Sequence, residues 1–420
     1  MSASPTFSGL DLLSHAYRVN PGAAIQDALE LNPVSYYEPL NCYVVLRYED
    51  ARAILSDFET FSSRVFRVLP APDADPEAQR VTKLIIEGQA LGMDPPEHTR
   101  ERRAAQRSFT HARVRSTLPL IEQIANELID TFVDRGECDL MTDYCYRLTL
   151  RGVGSMLGLP TEDLPAFEAF INEIFTLMIP LNAPGNPNMT HEALLAGYER
   201  TYRAYQVFSR FVAERREHPR DDLASAMLAL TDDVGEPLLT DDAALAHMVG
   251  ITVAGTGTTA NLIGYVVRYL SEQPAVLEEV RRDPALWDAV VEEGLRCASV
   301  SGLLYRRTTR EVQLRGVTIP AESLVAVNVA AANADPRQFP DPLCFDIHRP
   351  NLADHLAFGL GRHFCMGSPL ARPEARVALQ TLFSRIPDLR ADPTAELEFA
   401  PNFVVRSQLH QHVTWTARSP

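Results

Sequence analysis

The chain has 420 residues, with 39 Lys and Arg against 55 Asp and Glu, a formal charge of −16 and an apolar fraction of 46%. That charge favours solubility and argues against a nucleic-acid binder, although arginines grouped as Arg102, Arg103 and Arg107 still present a local patch to a partner. The apolar fraction is that of a globular protein, and the length exceeds the size at which single cores usually stop growing, so length alone points to two domains or more.

The N-terminus, M-S-A-S-P-T-F-S-G-L-D-L-L, has no basic region and no long apolar core. No run of the chain approaches the roughly 18 apolar residues of a membrane span, so the expectation is a cytoplasmic protein with neither signal peptide nor membrane anchor. Residues 44–48 read as a strand and residues 49–55 as a short helix leading into residues 58–63. Residues 68–92 are rich in Pro and Asp, then apolar without clean periodicity, which predicts mostly loop. Residues 117–135 predict a helix, with Leu120, Ile121, Ile124, Leu128 and Ile129 on one stripe. Residues 179–189, I-P-L-N-A-P-G-N-P-N-M, break two helical stretches.

Thr240 can cap a helix with Asp241 and Asp242 in its first turn, and the apolar pattern continues to about residue 270. That is longer than an ordinary globular helix and predicts one that crosses the molecule. Inside it lie Gly250, Gly255, Gly257 and Gly264, each costing about 1 kcal/mol against alanine. For Gly255 and Gly257 two readings stand: close approach to a cofactor with a locally opened backbone, or loose helix packing. Residues 403–405 and 413–416 read as short strands. There is no internal repeat and no low-complexity linker.

The cysteines at positions 42, 138, 145, 297, 344 and 365 show no C-x-x-C and no paired metal-site spacing. Five read as reduced and structural. Cys365 differs because residues 358–367 read F-G-L-G-R-H-F-C-M-G, and Gly359, Gly361 and Gly367 let a backbone turn tightly against a flat macrocycle. An isolated cysteine is most often a buried structural thiol. Here the apolar positions that follow, Leu370, Val377, Ala378 and Leu379, predict a helix whose first N–H groups aim back at the sulfur and stabilise a thiolate. Such a thiolate can be the single protein ligand of a haem iron.

At this loop the chain resembles the cytochrome P450 family, specifically its soluble bacterial members, and the resemblance covers nearly the whole length. Glu293-Gly-Leu-Arg296 matches the family's E-x-x-R. Asn333-Ala-Asp-Pro336, Phe339-Pro-Asp-Pro342 and Phe345-Asp-Ile-His-Arg349 resemble the meander before the cysteine loop. His98-Thr-Arg-Glu-Arg102 resembles the motif that clamps a haem propionate, although alone it would read as a solvated helix face. Ala254-Gly-Thr-Gly-Thr-Thr259 falls where the family's oxygen-binding kink belongs. The resemblance implies a mainly α fold, a triangular helical domain with a small β-rich region, as one domain over residues 1–420. It also implies haem b (iron protoporphyrin IX) and electrons from a separate ferredoxin with its NAD(P)H-dependent ferredoxin reductase. Charge complementarity gives the hypothesis that an acidic ferredoxin docks beside Arg103, Arg107, Arg362 and Arg372.

By the same resemblance Cys365 is the axial ligand, with Phe358, Gly359 and Gly367 in its loop. His98, Arg102, Arg306 and His363 bind the propionates, and Glu293, Arg296 and Arg349 form a buried support whose loss would strand a charge. Catalysis falls to Thr258 with Ala254, Gly255 and Thr259. The Thr258 hydroxyl both donates and accepts, which suits it to order proton-carrying waters; it can equally bond the Ala254 carbonyl, and the two readings are compatible. The chain departs from the family at Gly257, where relatives carry Asp or Glu, so protons must travel through water, Thr256, Thr259 or substrate groups. It departs again in residues 297–304, which lack the family's proline.

Residues 65–92, 175–188, 249–253, 301–304 and 404–405 are implied to line a mainly apolar pocket for a small apolar organic substrate. The implied activity is a monooxygenase that inserts one oxygen atom from O2, by hydroxylation, O-dealkylation or epoxidation. Gly257 raises the alternative of a peroxide-using peroxygenase. A haem-thiolate enzyme without net oxygen insertion and a non-enzymatic haem-binding protein are the remaining readings, the last opposed by the retained Thr258. No nucleic-acid or membrane partner is expected.

Overall fold

A computed structural model of the chain describes residues 11–164, 177–179, 190–392, 395–400 and 404–417. The expected helix break at 179–189 and the pocket segment at 175–188 lie outside the described residues, apart from residues 177–179.

Helices begin where side chains can satisfy the free N–H groups of a first turn. Thr240 Oγ1 accepts the Ala243 N–H at 3.1 Å, and the helix Asp241–Glu272 follows as its pattern predicts. Asp75 likewise accepts the N–H groups of Glu77 and Ala78 at 2.9 and 3.0 Å and opens the helix Pro76–Glu87. This helix corrects the expectation of a loop over residues 68–92. Its Ala78, Val81, Thr82, Ile85 and Ile86 are buried at helical spacing, and the Asp-Pro pair is a start signal that the preceding prolines mask. Each fully buried aliphatic side chain there contributes roughly 1.5–3 kcal/mol. The helix expected at 117–135 forms at His111–Asp130, with Pro119 inside it. The expected strands at 44–48 and 413–416 form at Cys42–Val45 and His412–Thr414. Of the expected strand at 403–405, residue 403 lies outside the described residues and Val405 makes an isolated bridge to Ser301.

The chain divides into two units. The first takes Met1–Phe61, Leu118–Thr149 and Gly257–Pro420. Its main sheet places Cys42–Val45 antiparallel to Val34–Tyr37 and parallel to Leu324–Asn328, which pairs antiparallel with Leu303–Thr308. Val45, Val325 and Val327 of these strands are buried in one apolar cluster with Phe339. The helix Trp287–Ala298 packs on Ser368–Arg385, where the rings of Trp287 and Phe383 stack 6.0 Å apart. This packing sets the helix that carries Glu293 and Arg296 against the helix that follows the cysteine loop.

The second unit takes Ser62–Thr117 and Leu150–Thr256. Pro76–Glu87 packs on His191–Glu217, and Glu97–Ser108 packs on Leu223–Leu228. Within it Arg215 is buried, its Nε bonded to Asp222 Oδ2 at 2.6 Å and its Nη2 to the Gly158 carbonyl at 2.6 Å. The helix Asp241–Glu272 contributes residues up to Thr256 to this unit and its remainder to the first. Among the described residues no helix is long and apolar enough to cross a membrane.

Candidate active site

The cysteine loop is built on two left-handed glycines. Gly359 and Gly361 have φ of +68° and +70°, and a Cβ on Gly361 would stand 2.8 Å from the Leu55 carbonyl oxygen, so only glycine fits there. Gly367 has an ordinary φ of −77°, and its Cβ would meet the Cys365 sulfur at 3.7 Å, a normal contact. The protein itself therefore does not demand glycine at that third position. Cys365 is half-buried, its N–H donates to the Phe358 carbonyl at 2.8 Å, and the helix Ser368–Arg385 starts three residues on. That helix start favours the thiolate. Among the described residues no group of three His, Cys, Asp or Glu side chains is arranged to hold a metal ion. A lone thiol donor fits a metal whose other ligands arrive with the group that carries it, which is the chemistry of haem.

The loop's support is fully assembled. Glu293 and Arg296 face each other on the helix Trp287–Ala298, with Nε to Oε2 at 2.8 Å and Nη2 to Oε1 at 2.7 Å, and Arg349 Nε lies 3.4 Å from Glu293 Oε1. These side chains are 0, 1 and 4% exposed, so the charges are out of water. Arg296 also donates to the carbonyls of Asn333 and Pro342 at 2.8 Å and Cys344 at 3.0 Å, while Arg349 donates to those of Pro340, Asp341 and Cys344. The buried acid thus holds two cations that gather the irregular segment before the loop.

The other expected residues are distributed as follows. Arg306 is buried on Leu303–Thr308, opposite Val325, and its Nη1 donates to the Tyr305 carbonyl at 2.8 Å. His363 is half-buried in the turn Gly361–His363. In the second unit His98 is buried and Arg102 half-buried on the helix Glu97–Ser108, four residues apart and so on one face. Of the four arginines expected to meet a redox partner, Arg103, Arg107 and Arg362 are exposed, while Arg372 is half-buried and bonded to Glu292.

Within the continuous helix Asp241–Glu272, three side chains bond to carbonyls one turn back. Thr252 Oγ1 donates to the Met248 carbonyl at 2.9 Å, Thr256 Oγ1 to that of Thr252 at 2.8 Å, and Asn261 Nδ2 to that of Gly257 at 2.8 Å. Such back-bonds compete with the helical N–H groups and loosen a helix locally. Ala254 is exposed and Thr258 half-buried, one turn apart, while Thr259 is buried. The two glycines here have different causes. A Cβ on Gly255 would stand 2.8 Å from Val153 Cγ2, whereas a Cβ on Gly257 would meet nothing within 4 Å. Close packing requires Gly255; no neighbour requires Gly257.

Sequence reasoning missed three buried arrangements. Asn261 is fully buried and joins the Gly257 carbonyl, the Tyr146 hydroxyl at 3.1 Å and the Gln408 N–H at 2.6 Å. His247 Nε2 lies 3.0 Å from Glu101 Oε2; burial raises the Glu101 carboxyl, but His247 and Arg100 outweigh it and hold it below its usual range. Glu292 joins Arg372 and His355. Each set includes partners far apart in sequence, Asn261 with Tyr146 and Gln408, His247 with Glu101, and Glu292 with His355 and Arg372, so no spacing signals them.

A lone thiol in a glycine loop, braced by a buried carboxylate and two arginines on a mainly helical frame, defines the haem-thiolate class of enzyme. The model of the family described as Cytochrome P450 matches residues 63–386, and the chain belongs to that family. It is 35% identical over 378 residues to the "Cytochrome P450 monooxygenase PikC" of Streptomyces venezuelae, covering 89% of this chain and 85% of that protein. It is 32% identical over 394 residues to the "Mycinamicin IV hydroxylase/epoxidase" of Micromonospora griseorubida, covering 92% and 93%. Among solved structures, cytochrome P450 CYP109Q5 from Chondromyces apiculatus matches with a TM-score of 0.84 at 30% identity, over 98% of this chain and 99% of that one. P450BioI, solved in complex with a fatty-acid-ligated acyl carrier protein, matches at 0.84 with 28% identity over 96% and 100%. The fold is therefore the P450 fold, and the chain is an oxygenase with a haem-thiolate cofactor.

Proposed function

We propose that the chain is a monooxygenase that places one oxygen atom of O2 on a small apolar organic substrate by hydroxylation, O-dealkylation or epoxidation, with haem b held by Cys365. The observation that carries this reading is the half-buried Cys365 thiol at a helix start, in a loop braced by Glu293, Arg296 and Arg349. Haem supplies the oxidising chemistry when bound. Around it the chain's own residues have distinct tasks. Cys365 donates its thiolate, and the loop N–H bond to Phe358 keeps that sulfur oriented. Arg306 and His363, with His98 and Arg102 by resemblance, carry the charge that buried propionates need. Thr258 offers a hydroxyl that can pass a proton, and the back-bonds at Thr256 and Asn261 soften the helix where a water must enter. A relative named as a hydroxylase/epoxidase supports hydroxylation or epoxidation as the reaction, and a family model that spans residues 63–386 supports reading both units as one catalytic domain.

Electrons are proposed to come from a separate ferredoxin and its NAD(P)H-dependent reductase. A second reading is a peroxygenase, favoured by Gly257, whose missing side chain leaves open space where relatives have a carboxylate. One experiment tests both. The purified protein is reduced under carbon monoxide and then offered apolar substrates with ferredoxin and reductase, or with peroxide alone. A red-shifted Soret band that Cys365→Ser abolishes supports the thiolate; product with the protein partners and little with peroxide supports the monooxygenase, and the reverse supports the peroxygenase.

A further inference from the structure

Glu292 is the neighbour of Glu293 on the same helix, yet it serves a different set of residues. One step along a helix turns a side chain by about 100°, and Glu292 points away from Arg296 and Arg349. Its Oε1 accepts from Arg372 Nε, and its Oε2 lies 3.1 Å from both Arg372 Nη2 and His355 Nε2. The side chains of Glu292 and His355 are 19% and 1% exposed. Burial raises the Glu292 carboxyl, but the bonds from His355 and Arg372 outweigh it and bring it to about 2. The Ala357 N–H donates to His355 Nδ1 at 3.3 Å, which fixes the ring proton on Nε2, aimed at Glu292.

These partners stand at both ends of the cysteine loop. His355 lies three residues before Phe358, and Arg372 lies on the helix that follows Gly367. One carboxylate therefore ties the two ends together. Between them Phe358 is enclosed: the Arg372 guanidinium carbon is 4.5 Å from its ring centroid, the His355 ring is 6.0 Å away and the Phe364 ring 6.2 Å. The carbonyl of that same Phe358 receives the Cys365 N–H at 2.8 Å. A chain of contacts thus runs from Glu292 to the sulfur's own backbone.

We propose that Glu292, through Arg372 and His355, is a positioning residue that locks Phe358 and so fixes the Cys365 thiolate toward its metal. The inference rests on the reading of Cys365 as the haem ligand. It also gives Arg372 an internal task in place of meeting a redox partner. A bidentate fork and a flat cation on a ring are geometric devices, so charge alone does not replace them.

The test uses the haem-loaded protein with Glu292→Gln and Arg372→Lys, the second keeping the charge in case the first folds poorly. Two readouts are taken on the folded fraction: the half-time for the red-shifted carbon monoxide band to convert to the shorter-wavelength form on warming, and the reduction midpoint potential. Each variant is expected to bind haem at the native ratio, to convert about tenfold faster, as loss of a partly buried cation–ring contact and one fork implies, and to shift the potential. The double variant should be no worse than the worse single, because the residues act as one unit. Variants that melt earlier but keep the native band lifetime and potential would overturn the clamp alone. A native protein without the red-shifted band would overturn the Cys365 assignment, and the clamp with it.

Discussion

Glu374 shows how far a single buried group can shape the behaviour of the fold. It is 1% exposed on the helix after the cysteine loop, and its Oε1 meets no hydrogen-bond partner among the described residues. Burial pushes its carboxyl well above the ordinary range, which favours the neutral form in the folded chain. The sign of the consequence follows from linkage. Above the unfolded value of about 4.3 the unfolded chain releases a proton that the folded chain keeps, so this group lowers stability by up to about 1.4 kcal/mol per pH unit as pH rises toward its folded value. Glu374→Gln keeps the shape and cannot ionise. Urea unfolding at about pH 5 and about pH 8 should show the variant gaining on the native chain as pH rises; a constant difference would refute the neutral buried acid. Arg349 is the opposite case, a charge that is buried but paired, with its Nε 3.4 Å from Glu293 and three backbone carbonyls on its fork. Arg349→Ala strands part of the Glu293 charge and should cost roughly 3–5 kcal/mol in urea unfolding, with loss of bound haem. A cost under about 1 kcal/mol, the usual worth of an exposed pair, would mean that the buried cluster is not what holds the segment.

At the level of elements, the long helix carries two glycines with opposite expectations. Gly257→Ala adds a methyl to open space and removes glycine's entropy cost, so it should raise stability by about 0.5–1 kcal/mol. Gly255→Ala drives the same methyl into Val153 Cγ2 at 2.8 Å and should cost about 1–3 kcal/mol as the core shifts. Melting curves of the two variants measure the contrast, and equal effects would show that the helix yields as a whole. The helix itself was legible, because Thr240, the two aspartates after it and the apolar period all agree with helix. So was the cysteine loop with its following helix, since glycine spacing and a period of 3.6 are local signals. Pro76–Glu87 was not, because prolines at 70, 72 and 76 dominate a reading by composition while the decisive Asp75 cap is one residue. The Glu293 partners could be recognised from motifs, but Glu292 could not, since its partners at 355 and 372 are brought to it only by tertiary packing. The packing at Gly255 also needed coordinates: a Cβ there would stand 2.8 Å from Val153 Cγ2, a contact that no local pattern shows.

For the molecule as a whole, the proposed proton-passing role of Thr258 carries a prediction, because Gly257 and not an acid stands before it. The neighbouring polar groups do not replace one. Thr256 spends its hydroxyl proton on the Thr252 carbonyl, and Asn261 spends its amide on Gly257 and Tyr146. A route through water and Thr258 is slower than one that begins at a carboxylate with a pKa nearer working pH. Under the monooxygenase reading, slow protonation lets reduced oxygen escape as peroxide, so product formed per O2 consumed should be low with a substrate that carries no acid or hydroxyl of its own. Gly257→Asp has room for its first side-chain carbon, because a Cβ there meets nothing within 4 Å. The variant should raise product per O2 on the order of threefold, small beside the roughly 10²–10⁴-fold span of general acid–base catalysis because water already supplies part of the path. Peroxide release should fall in step, and turnover driven by added peroxide should not rise. Oxygen-electrode and product measurements on native and variant protein, with one apolar substrate and one that bears a carboxyl, separate the cases. If Gly257→Asp leaves coupling unchanged with both substrates, the proton path does not pass this turn of the helix. If only the apolar substrate gains, the native chain takes its proton from the substrate, and Gly257 is the space in which that group works.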